Sequence, residues 1–351
     1  MASPLPIPGS LVLEILDGCG EAASREAAVL GGVRRISATE LRVEPSEGAS
    51  LQGVARLRTV VAASVSITAP GRRPRAVLET SVIRRFTSVV DDLARALGRS
   101  VRFSALRLEA AGADTDEMRR IATELAAAVG LPEDREDGDL VVRLRRDAQA
   151  PDGWELLVRT TPRPLATRAW RTTDYPGAVN ATIAAAVLAR LDIGAEDTVL
   201  DMMCGSGTFL VEQLFLAVPR RAVGADLSEA AIEAARGHQR AARRKGRIDW
   251  IVGDVLTTPI DPGFTRLVVN PPWGTLHGEH ATNEALHAAV LARAAQLAAP
   301  GALLGVLTHE IARMHRVVDE QEEWEPIDEH RFFQKGHHPR LFVLRSRATR
   351  G

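Results

Sequence analysis

The chain has 351 residues, of which 45% are apolar and 25% are charged, an ordinary composition for a globular protein of two or three domains. Its formal net charge of −1 argues against nucleic-acid binding through bulk positive charge. No apolar run reaches the about 18 residues that a membrane span needs, and two cysteines are too few for a disulfide framework or a zinc site. The start, Met1-Ala2-Ser3-Pro4, does not read as a signal peptide. We therefore expect a cytoplasmic monomer without membrane partner or metal.

The first half of the chain mixes short helix and strand patterns. In its first part, we predict strands over 11–16 and 41–43, a helix over 21–30 and an alternating stretch over 54–61. A second pattern begins near Thr80, with helices over 88–97 and 116–129 and strands over 101–108 and 140–144. These patterns predict two small α+β units, 1–80 and 81–160, followed by a Pro-, Thr- and Arg-rich linker, 161–175.

The second half alternates short apolar runs with helical stretches. The predicted strands are 198–201, 221–226, 248–252, 266–269, 302–307, 330–333 and 341–344. The predicted helices include 181–191, 209–216, 229–245 and 283–298. Strands that alternate with helices predict an α/β domain, 176–351, with a doubly wound, mostly parallel seven-stranded sheet. The last strand follows a short loop, so we expect it to return antiparallel.

A glycine-rich turn, Asp201-Met202-Met203-Cys204-Gly205-Ser206-Gly207-Thr208, lies between the first of these strands and an apolar helix. Its glycines allow the backbone to pass close to a ligand, and the helix start supplies free N–H groups. Asp226 ends the next strand, where doubly wound folds commonly hold a ribose, and Asp254 follows the third strand. The dehydrogenase fingerprint G-x-G-x-x-G is absent, because Leu210 takes the place of the third glycine.

This layout resembles that of Rossmann-like, class I methyltransferases, which bind S-adenosylmethionine (SAM). The resemblance implies that the 201–207 loop faces the methionine part of SAM, that Asp226 holds the ribose and that Asp254 meets the adenine amine. The residues assigned to cofactor binding in this way are Tyr175, Pro176, Asp201, Cys204, Gly205, Ser206, Gly207, Thr208, Asp226, Leu227, Asp254 and Val255.

The tetrapeptide Asn270-Pro271-Pro272-Trp273 follows the fourth strand of the domain. Two prolines stop the strand and stiffen the chain, so the Asn270 side-chain oxygen and the Pro271 carbonyl can both face one pocket. Two acceptors can take hydrogen bonds from both N–H groups of a base's amine, so that the nitrogen lone pair is free to face a methyl donor. Trp273 offers a stacking surface for an unstacked base. In isolation the motif would read as a strand-ending turn, but here it resembles the D/N-P-P-Y/F/W motif of amino-methyltransferases.

Cys204 offers a different chemistry, because a cysteine nucleophile suits methylation at carbon 5 of a pyrimidine. It lies in the cofactor loop, however, and not beside the expected target base. We therefore expect a small packed thiol there.

Several stretches together resemble the THUMP-domain RNA methylases, which include tRNA guanine-N2-methyltransferases. The segment before the cofactor loop, Tyr175-Pro176-Gly177-Ala178-Val179-Asn180, the loop itself and Asn270-Pro271-Pro272-Trp273-Gly274 carry the resemblance most specifically. Upstream, 101–144 resembles a THUMP unit, and 57–60 resembles part of the ferredoxin-like unit before it. In that family the first units hold the RNA and the catalytic unit takes one flipped base.

The resemblance implies an RNA substrate, with guanine N2 of tRNA as the leading target. Candidate phosphate contacts are Arg84, Arg85, Arg143, Arg145, Arg146, Arg163, Arg168 and Arg171, although each could instead belong to a solvated, ion-paired face. Three alternatives remain open: ribosomal RNA as the substrate, an adenine amine or a protein glutamine as the acceptor, and an RNA-binding protein with an inactive cofactor site.

Overall fold

The computed structural model describes residues 4–98, 101–272, 280–333, 336 and 338–348, with the backbone alone for 280–283. Its contacts divide the chain into two units. The first unit contains Met1–Ile15 and Ala23–Thr167, and the second contains Leu16–Ala22 and Arg168–Gly351. Within the described ranges no helix is both long and apolar enough to cross a membrane.

The described chain up to Arg159 forms seven strands and four α-helices. In chain order they are β1 (Leu11–Glu14), α1 (Gly20–Ala27), β2 (Gly31–Arg35), β3 (Glu40–Pro45), α2 (Leu51–Val54), β4 (Ala62–Pro70), α3 (Thr80–Leu97), β5 (Leu106–Ala110), α4 (Asp116–Ala128), β6 (Leu140–Arg146) and β7 (Gly153–Arg159). The strands form one sheet in the order β2-β3-β1-β4-β7-β6-β5. Neighbours are antiparallel except for the parallel pair of β5 and β6.

The two faces of this first sheet differ in chemistry, as the period-two alternation of strand side chains requires. Alternate residues such as Leu11 and Leu13 of β1 join one apolar core with Phe86 of α3 and Leu125 of α4. The intervening residues, such as Glu14, face the opposite side of the sheet. The ranges 1–80 and 81–160 both supply strands to this sheet and residues to this core, so the boundary between them stays a prediction.

The second unit contains the remaining elements. They are α5 (Ala181–Arg190), β8 (Thr198–Asp201), α6 (Thr208–Leu216), β9 (Arg221–Asp226), α7 (Glu229–Ala242), β10 (Asp249–Val252), β11 (Phe264–Val269), α8 (His280–Leu297), β12 (Ala298–Thr308), α9 (Ile311–Asp319), β13 (Trp324–Arg331) and β14 (Arg340–Ser346). The sheet order is β10-β9-β8-β11-β12-β14-β13. The first five strands are parallel, and β14 runs antiparallel to both neighbours. This topology confirms the predicted class I methyltransferase fold and the antiparallel return of the last strand.

Successive residues of the central strands pack into two separate cores, which shows that helices cover both faces of the sheet. Val268 of β11 joins the core that contains α5 and α6. Its neighbours Leu267 and Val269 join the core that contains α8 and α9. Because both faces are buried, the strands read as continuous apolar runs, which is why they were predictable.

Several sequence-based predictions need correction. The alternating stretch 54–61 is not a strand, because α2 ends at Val54 and β4 begins at Ala62. The strand predicted over 101–108 is Leu106–Ala110, and the one predicted over 330–333 is Trp324–Arg331. In these places polar residues on the solvated face of a strand interrupt the apolar pattern, which also concealed β2 and β7.

Candidate active site

A cavity of about 710 Å³ opens at the carboxyl ends of β8, β9 and β11 in the second unit. Carboxyl ends of parallel strands are where open α/β sheets bind ligands. The structure brings most of the predicted cofactor residues to its wall, namely Tyr175, Pro176, Cys204, Gly205, Ser206, Thr208, Asp226, Leu227, Asp254 and Val255. Asp201 and Gly207 lie in the same loop but do not line the cavity.

The 201–208 loop is held by backbone contacts to neighbouring strands. The Met202 amide donates to the Val268 carbonyl at 3.0 Å, and the Cys204 amide donates to the Ala225 carbonyl at 3.0 Å. The Gly205 amide donates to Oδ2 of Asp226 at 2.8 Å. These three bonds fix the loop to β11 and β9.

Gly207 has a positive φ of 78°, a conformation that favours glycine. A Cβ at this position would also lie 2.6 Å from the ring of Trp250, so the sequence requirement for glycine here has two causes. Gly205, by contrast, faces open space: no atom lies within 4 Å of where its Cβ would be.

Asp201, the last residue of β8, is 0% exposed. Neither of its carboxylate oxygens makes a hydrogen bond of standard geometry within the described residues. Burial raises the pKa of Asp201 well above its usual range, the nearby charge of Asp226 raises it further, and the Met203 amide opposes both effects. The buried hydroxyl of Ser206 is likewise without a described partner. Buried polar atoms of this kind call for a polar ligand or water.

Asp226 is engaged on both carboxylate oxygens. Besides Gly205, its Oδ1 accepts from the amide of Ser228 at 2.9 Å. Ser228 caps α7 and accepts a hydrogen bond from the Tyr175 hydroxyl at 3.3 Å. Asp254 is more exposed, and its Oδ1 accepts from the Leu256 amide at 2.9 Å. Both carboxylates are therefore oriented at the cavity wall by backbone donors.

Cys204 is buried, and its thiol donates to the Gly205 carbonyl at 3.7 Å. Burial raises the pKa of this thiol well above its usual range, and the charges of Asp201 and Asp226 raise it further. A thiol that stays protonated is a poor nucleophile, which supports the packed role expected for Cys204.

The predicted catalytic motif begins where β11 ends. Asn270, Pro271 and Pro272 follow Val269 directly and line the cavity that the cofactor loop also lines. Trp273 lies outside the described residues. Leu286 of α8 contributes an apolar wall.

Residues 168–340 match the family model described as RMKL-like, methyltransferase domain. This segment is similar to RMKL-like methyltransferase domains. The match confirms the predicted reaction class, methyl transfer with SAM as the methyl donor. No curated protein sequence matches the chain significantly.

Solved structures agree with the fold over the whole chain. TrmN from Thermus thermophilus has a TM-score of 0.72 at 22% identity and covers 96% of this chain and 99% of its own. The methyltransferase SMU.472, complexed with SAH, gives 0.67 at 13% identity, with 97% and 99% covered. A protein described as a predicted N6-adenine-specific DNA methylase from Listeria monocytogenes gives 0.66 at 14% identity, with 95% of each chain covered. At these identities the likeness supports the fold.

The residues at the methyltransferase site fit SAM. The cavity wall carries an open glycine at Gly205, a buried hydroxyl without a described partner at Ser206 and two oriented carboxylates. Asp201 does not line the cavity, but its buried oxygens lie in the same loop and also lack a described partner. A zwitterionic methionine end and a ribose supply the donors and hydroxyls that such groups bind.

The predicted linker contributes to the methyltransferase domain in a way that the sequence did not indicate. Arg168 is buried, and its guanidinium pairs with Glu212 of α6 at 2.9 Å. Trp170 donates to the same carboxylate at 3.1 Å. Arg171 donates to the Val179 carbonyl at 2.9 Å and to the Thr208 hydroxyl at 3.1 Å. Arg168 and Arg171 therefore anchor this segment, which corrects the phosphate-contact role predicted for both.

Most of the other predicted phosphate contacts belong to the first unit and are already engaged. Arg143 pairs with Glu109 and Glu14, and Arg145 pairs with Glu40 and Glu155. Arg146 lies over the Trp154 ring at 4.2 Å, and Arg85 donates to the Pro8 carbonyl. Arg84 and Arg163 are exposed. The ion-paired alternative therefore describes Arg143 and Arg145 better than the phosphate contact does.

Sequence reasoning did not select several other cavity residues. They are Gly177, Ala178, Val179, Met203, Phe209, Gly253, Leu256 and Leu286. Their proximity to the selected residues in the chain could have identified all except Leu286. His238 of α7 was also missed, because a histidine among polar residues on a helix carries no distinctive pattern. Within the described ranges, no group of three or more His, Cys, Asp or Glu side chains could hold a metal ion.

Proposed function

We propose that this protein is an RNA methyltransferase that transfers the methyl group of SAM to the exocyclic N2 amine of a guanine, in tRNA. The observation that carries the proposal is the position of Asn270-Pro271-Pro272 at the carboxyl end of β11, on the wall of the cavity that the 201–208 loop also lines.

The residues around this cavity have distinct proposed roles in holding the cofactor. The 201–208 loop binds the methionine end, Asp226 binds the ribose hydroxyls and Asp254 accepts from the adenine amine. Bound SAM supplies an electrophilic methyl group on its sulfonium.

Asn270 activates the acceptor in this proposal. The lone pair of a guanine amino group is delocalised into the ring, so the amine is a poor nucleophile. The Asn270 side-chain oxygen and the Pro271 carbonyl accept hydrogen bonds from its two N–H groups and favour a tetrahedral nitrogen, whose lone pair then points at the methyl group. The N–CH3 bond forms as the S–CH3 bond breaks, SAH leaves, and the methylated amine loses one proton to solvent. The rigid Pro-Pro pair keeps both acceptors in place without reorganisation during the reaction.

The proposal of an RNA substrate depends on a different part of the chain. The first half resembles a ferredoxin-like unit followed by a THUMP unit, which neither a DNA adenine nor a protein glutamine requires. Flipping a base out of its stack costs a few kcal/mol, so contacts elsewhere on the RNA must offset that cost. Among the predicted phosphate contacts of the first unit, the exposed Arg84 and Arg163 are best suited to this role.

Labelled SAM offered to RNA, DNA and protein in parallel tests the acceptor class. We expect label in RNA alone, and label in DNA or protein alone would reject the RNA proposal. Mass spectrometry of nucleosides from a deletion strain then tests the atom and the pool. Loss of N2-methylguanosine from tRNA is expected, and an unchanged amount in both tRNA and ribosomal RNA would reject guanine N2.

A further inference from the structure

His238 connects Ser206, which lines the proposed cofactor cavity, with Thr173, which lies two residues before the cavity-lining residue Tyr175. It lies on α7 with 0% exposure. Its Nδ1 lies 3.0 Å from the carbonyl oxygen of Ser206, in the cofactor loop. Its Nε2 lies 3.2 Å from the amide nitrogen of Thr173 and 3.1 Å from the Thr173 carbonyl oxygen. The edge of the ring contacts Trp170, with ring centroids 5.3 Å apart.

A proton on Nδ1 is the arrangement that satisfies the Ser206 carbonyl and the Thr173 amide together. In this tautomer Nδ1–H donates to the Ser206 carbonyl, and Nε2 accepts from the Thr173 amide. The Ser206 carbonyl and the Thr173 amide lie on opposite sides of the imidazole ring. A shorter amide side chain would not reach both of them. A buried histidine bonded at both nitrogens is fixed in position.

The partner of Nε2 belongs to a stretch without regular secondary structure, residues 171–179, which we call the 171–179 segment. Its second half, from Tyr175 to Val179, lines the cavity. Ser206, whose carbonyl is the partner of Nδ1, also lines the cavity. His238 does not line the cavity itself, so any effect on a ligand passes through these two walls.

We infer that His238 is a positioning residue that holds the 171–179 segment against the cofactor loop and thereby sets the affinity for the cofactor. The inference rests on the proposed SAM site and adds a residue to it. Removing the imidazole leaves the Ser206 carbonyl and the Thr173 amide without their partner. The segment keeps its contacts through Arg171 and Tyr175 but is held less firmly against the loop, so the cavity wall that it forms is less well ordered.

The substitution His238→Phe tests this role, because it keeps an aromatic ring against Trp170 and removes both hydrogen bonds. Calorimetry with S-adenosylhomocysteine (SAH) as the probe is expected to show affinity reduced about tenfold or more. Limited trypsin digestion without ligand is expected to cut the Arg171–Thr172 bond faster than in the wild type, since the segment is held less firmly.

A matched control separates this effect from general destabilisation. Thr198 is buried at the opposite end of β8, where its hydroxyl donates to the Gly263 carbonyl at 2.7 Å and accepts from the Thr265 amide at 3.0 Å. Thr198→Val keeps the shape and removes two hydrogen bonds far along the strand from the cavity. We expect this variant to lower the melting temperature and to leave SAH affinity and cleavage at Arg171 unchanged.

Equal SAH affinity in His238→Phe and the wild type would overturn the inference and leave the proposed function standing. Wild-type protein that binds no SAH would overturn the proposed function itself. If His238→Phe does not fold, His238→Gln serves instead, since its amide can keep one of the two bonds. An intermediate affinity is expected for this variant, and wild-type affinity together with wild-type cleavage at Arg171 would reject the role of His238.

Discussion

Two buried carboxylates, one in each unit, show how differently the two sheets use charge. Glu155 of β7 and Asp201 of β8 are both 0% exposed. Glu155 accepts hydrogen bonds from Arg42 at 2.5 Å, Ser66 at 2.6 Å and Arg145 at 2.8 Å. Asp201 has no hydrogen bond of standard geometry within the described part of the chain.

The pKa values of the two groups shift in opposite directions. Burial alone would raise the pKa of Glu155, but the bonds from Ser66, Arg145 and Arg42 outweigh burial and lower it. Burial and the charge of Asp226 raise the pKa of Asp201. Glu155, whose hydrogen bonds are complete, stabilises the first sheet. Asp201, whose hydrogen bonds are incomplete, belongs to a loop that lines a cavity, where a ligand can supply the missing partners. Four experiments test this contrast.

The largest effect is expected at the catalytic motif. Asn270→Ala should reduce methyl transfer by about 10²–10³-fold, the usual loss when one stabilising polar group is removed from a transition state. SAH affinity should stay within about twofold of the wild type, as expected for a residue that acts on the acceptor amine. Single-turnover transfer and calorimetry measure the two quantities. A parallel loss of both would make Asn270 a structural residue.

The second effect concerns the stability of the first sheet. Glu155→Ala leaves the buried guanidinium of Arg42 without its partner, and breaking such a pair costs about 3–5 kcal/mol of unfolding free energy. Denaturant unfolding measures the change. Because the pKa of Glu155 is lowered by folding, its stabilising contribution is present above the ordinary glutamate range and is lost as the pH falls through the lowered pKa. A change below about 1 kcal/mol at neutral pH would contradict the structural role.

The third prediction is a gain in unfolding free energy, not a loss. Asp201→Asn should stabilise the ligand-free protein at neutral pH by about 1–3 kcal/mol, since it replaces a carboxylate, whose charged form burial disfavours, with a neutral amide of the same shape. Folding raises the pKa of Asp201, so its penalty is absent at low pH and grows as the pH rises from the ordinary aspartate value through the raised one. Thermal melts of both proteins across this range measure the difference. A gain that shrinks with rising pH would refute the assignment.

The substitution Asp201→Asn also has a cost to function if a ligand completes this site. SAH affinity should fall by about tenfold, because the 201–208 loop loses the negative charge that attracts a positive methionine amine. Stabilisation together with weaker binding is the pattern expected for a ligand site, and unchanged binding would leave Asp201 without a functional role.

The smallest effect separates exposed from paired arginines of the first unit. Arg84→Ala and Arg163→Ala should each weaken RNA binding by about threefold and reduce its salt dependence, as loss of one phosphate contact does. Arg143→Ala, whose charge is already paired with Glu109 and Glu14, should have less effect. Filter binding over a range of salt concentrations measures all three. A larger loss for Arg143 would show that RNA competes with its ion pairs.

The same contrast explains which features the sequence could predict. The central strands of the second sheet are buried on both faces, so they form short continuous apolar runs that end at recognisable turns. In the first sheet, one face carries ion-paired residues such as Glu155 of β7, and these interrupt the apolar pattern. The prediction therefore failed to detect β7, although it supplies Glu155.

The residues of the candidate site also differ in how well the sequence predicts them. The residues of the 201–208 loop and Asn270 to Pro272 follow strands directly, so their position at one sheet edge could be predicted from the order of the strands. His238, Arg168 and Arg171 act through contacts with backbone carbonyls and a buried glutamate far along the chain. Such contacts leave no periodic pattern in the sequence, because their partners are set by tertiary packing.

The bonds that tie Met202, Cys204 and Gly205 to β11 and β9 have a kinetic and entropic consequence. A loop that already has its bound shape does not have to be ordered by the ligand, and ordering flexible groups is one of the main penalties of association. Binding at this loop should therefore approach a simple one-step process, with an observed rate that rises linearly with ligand concentration. Any slow phase would then be assigned to another part of the cavity wall.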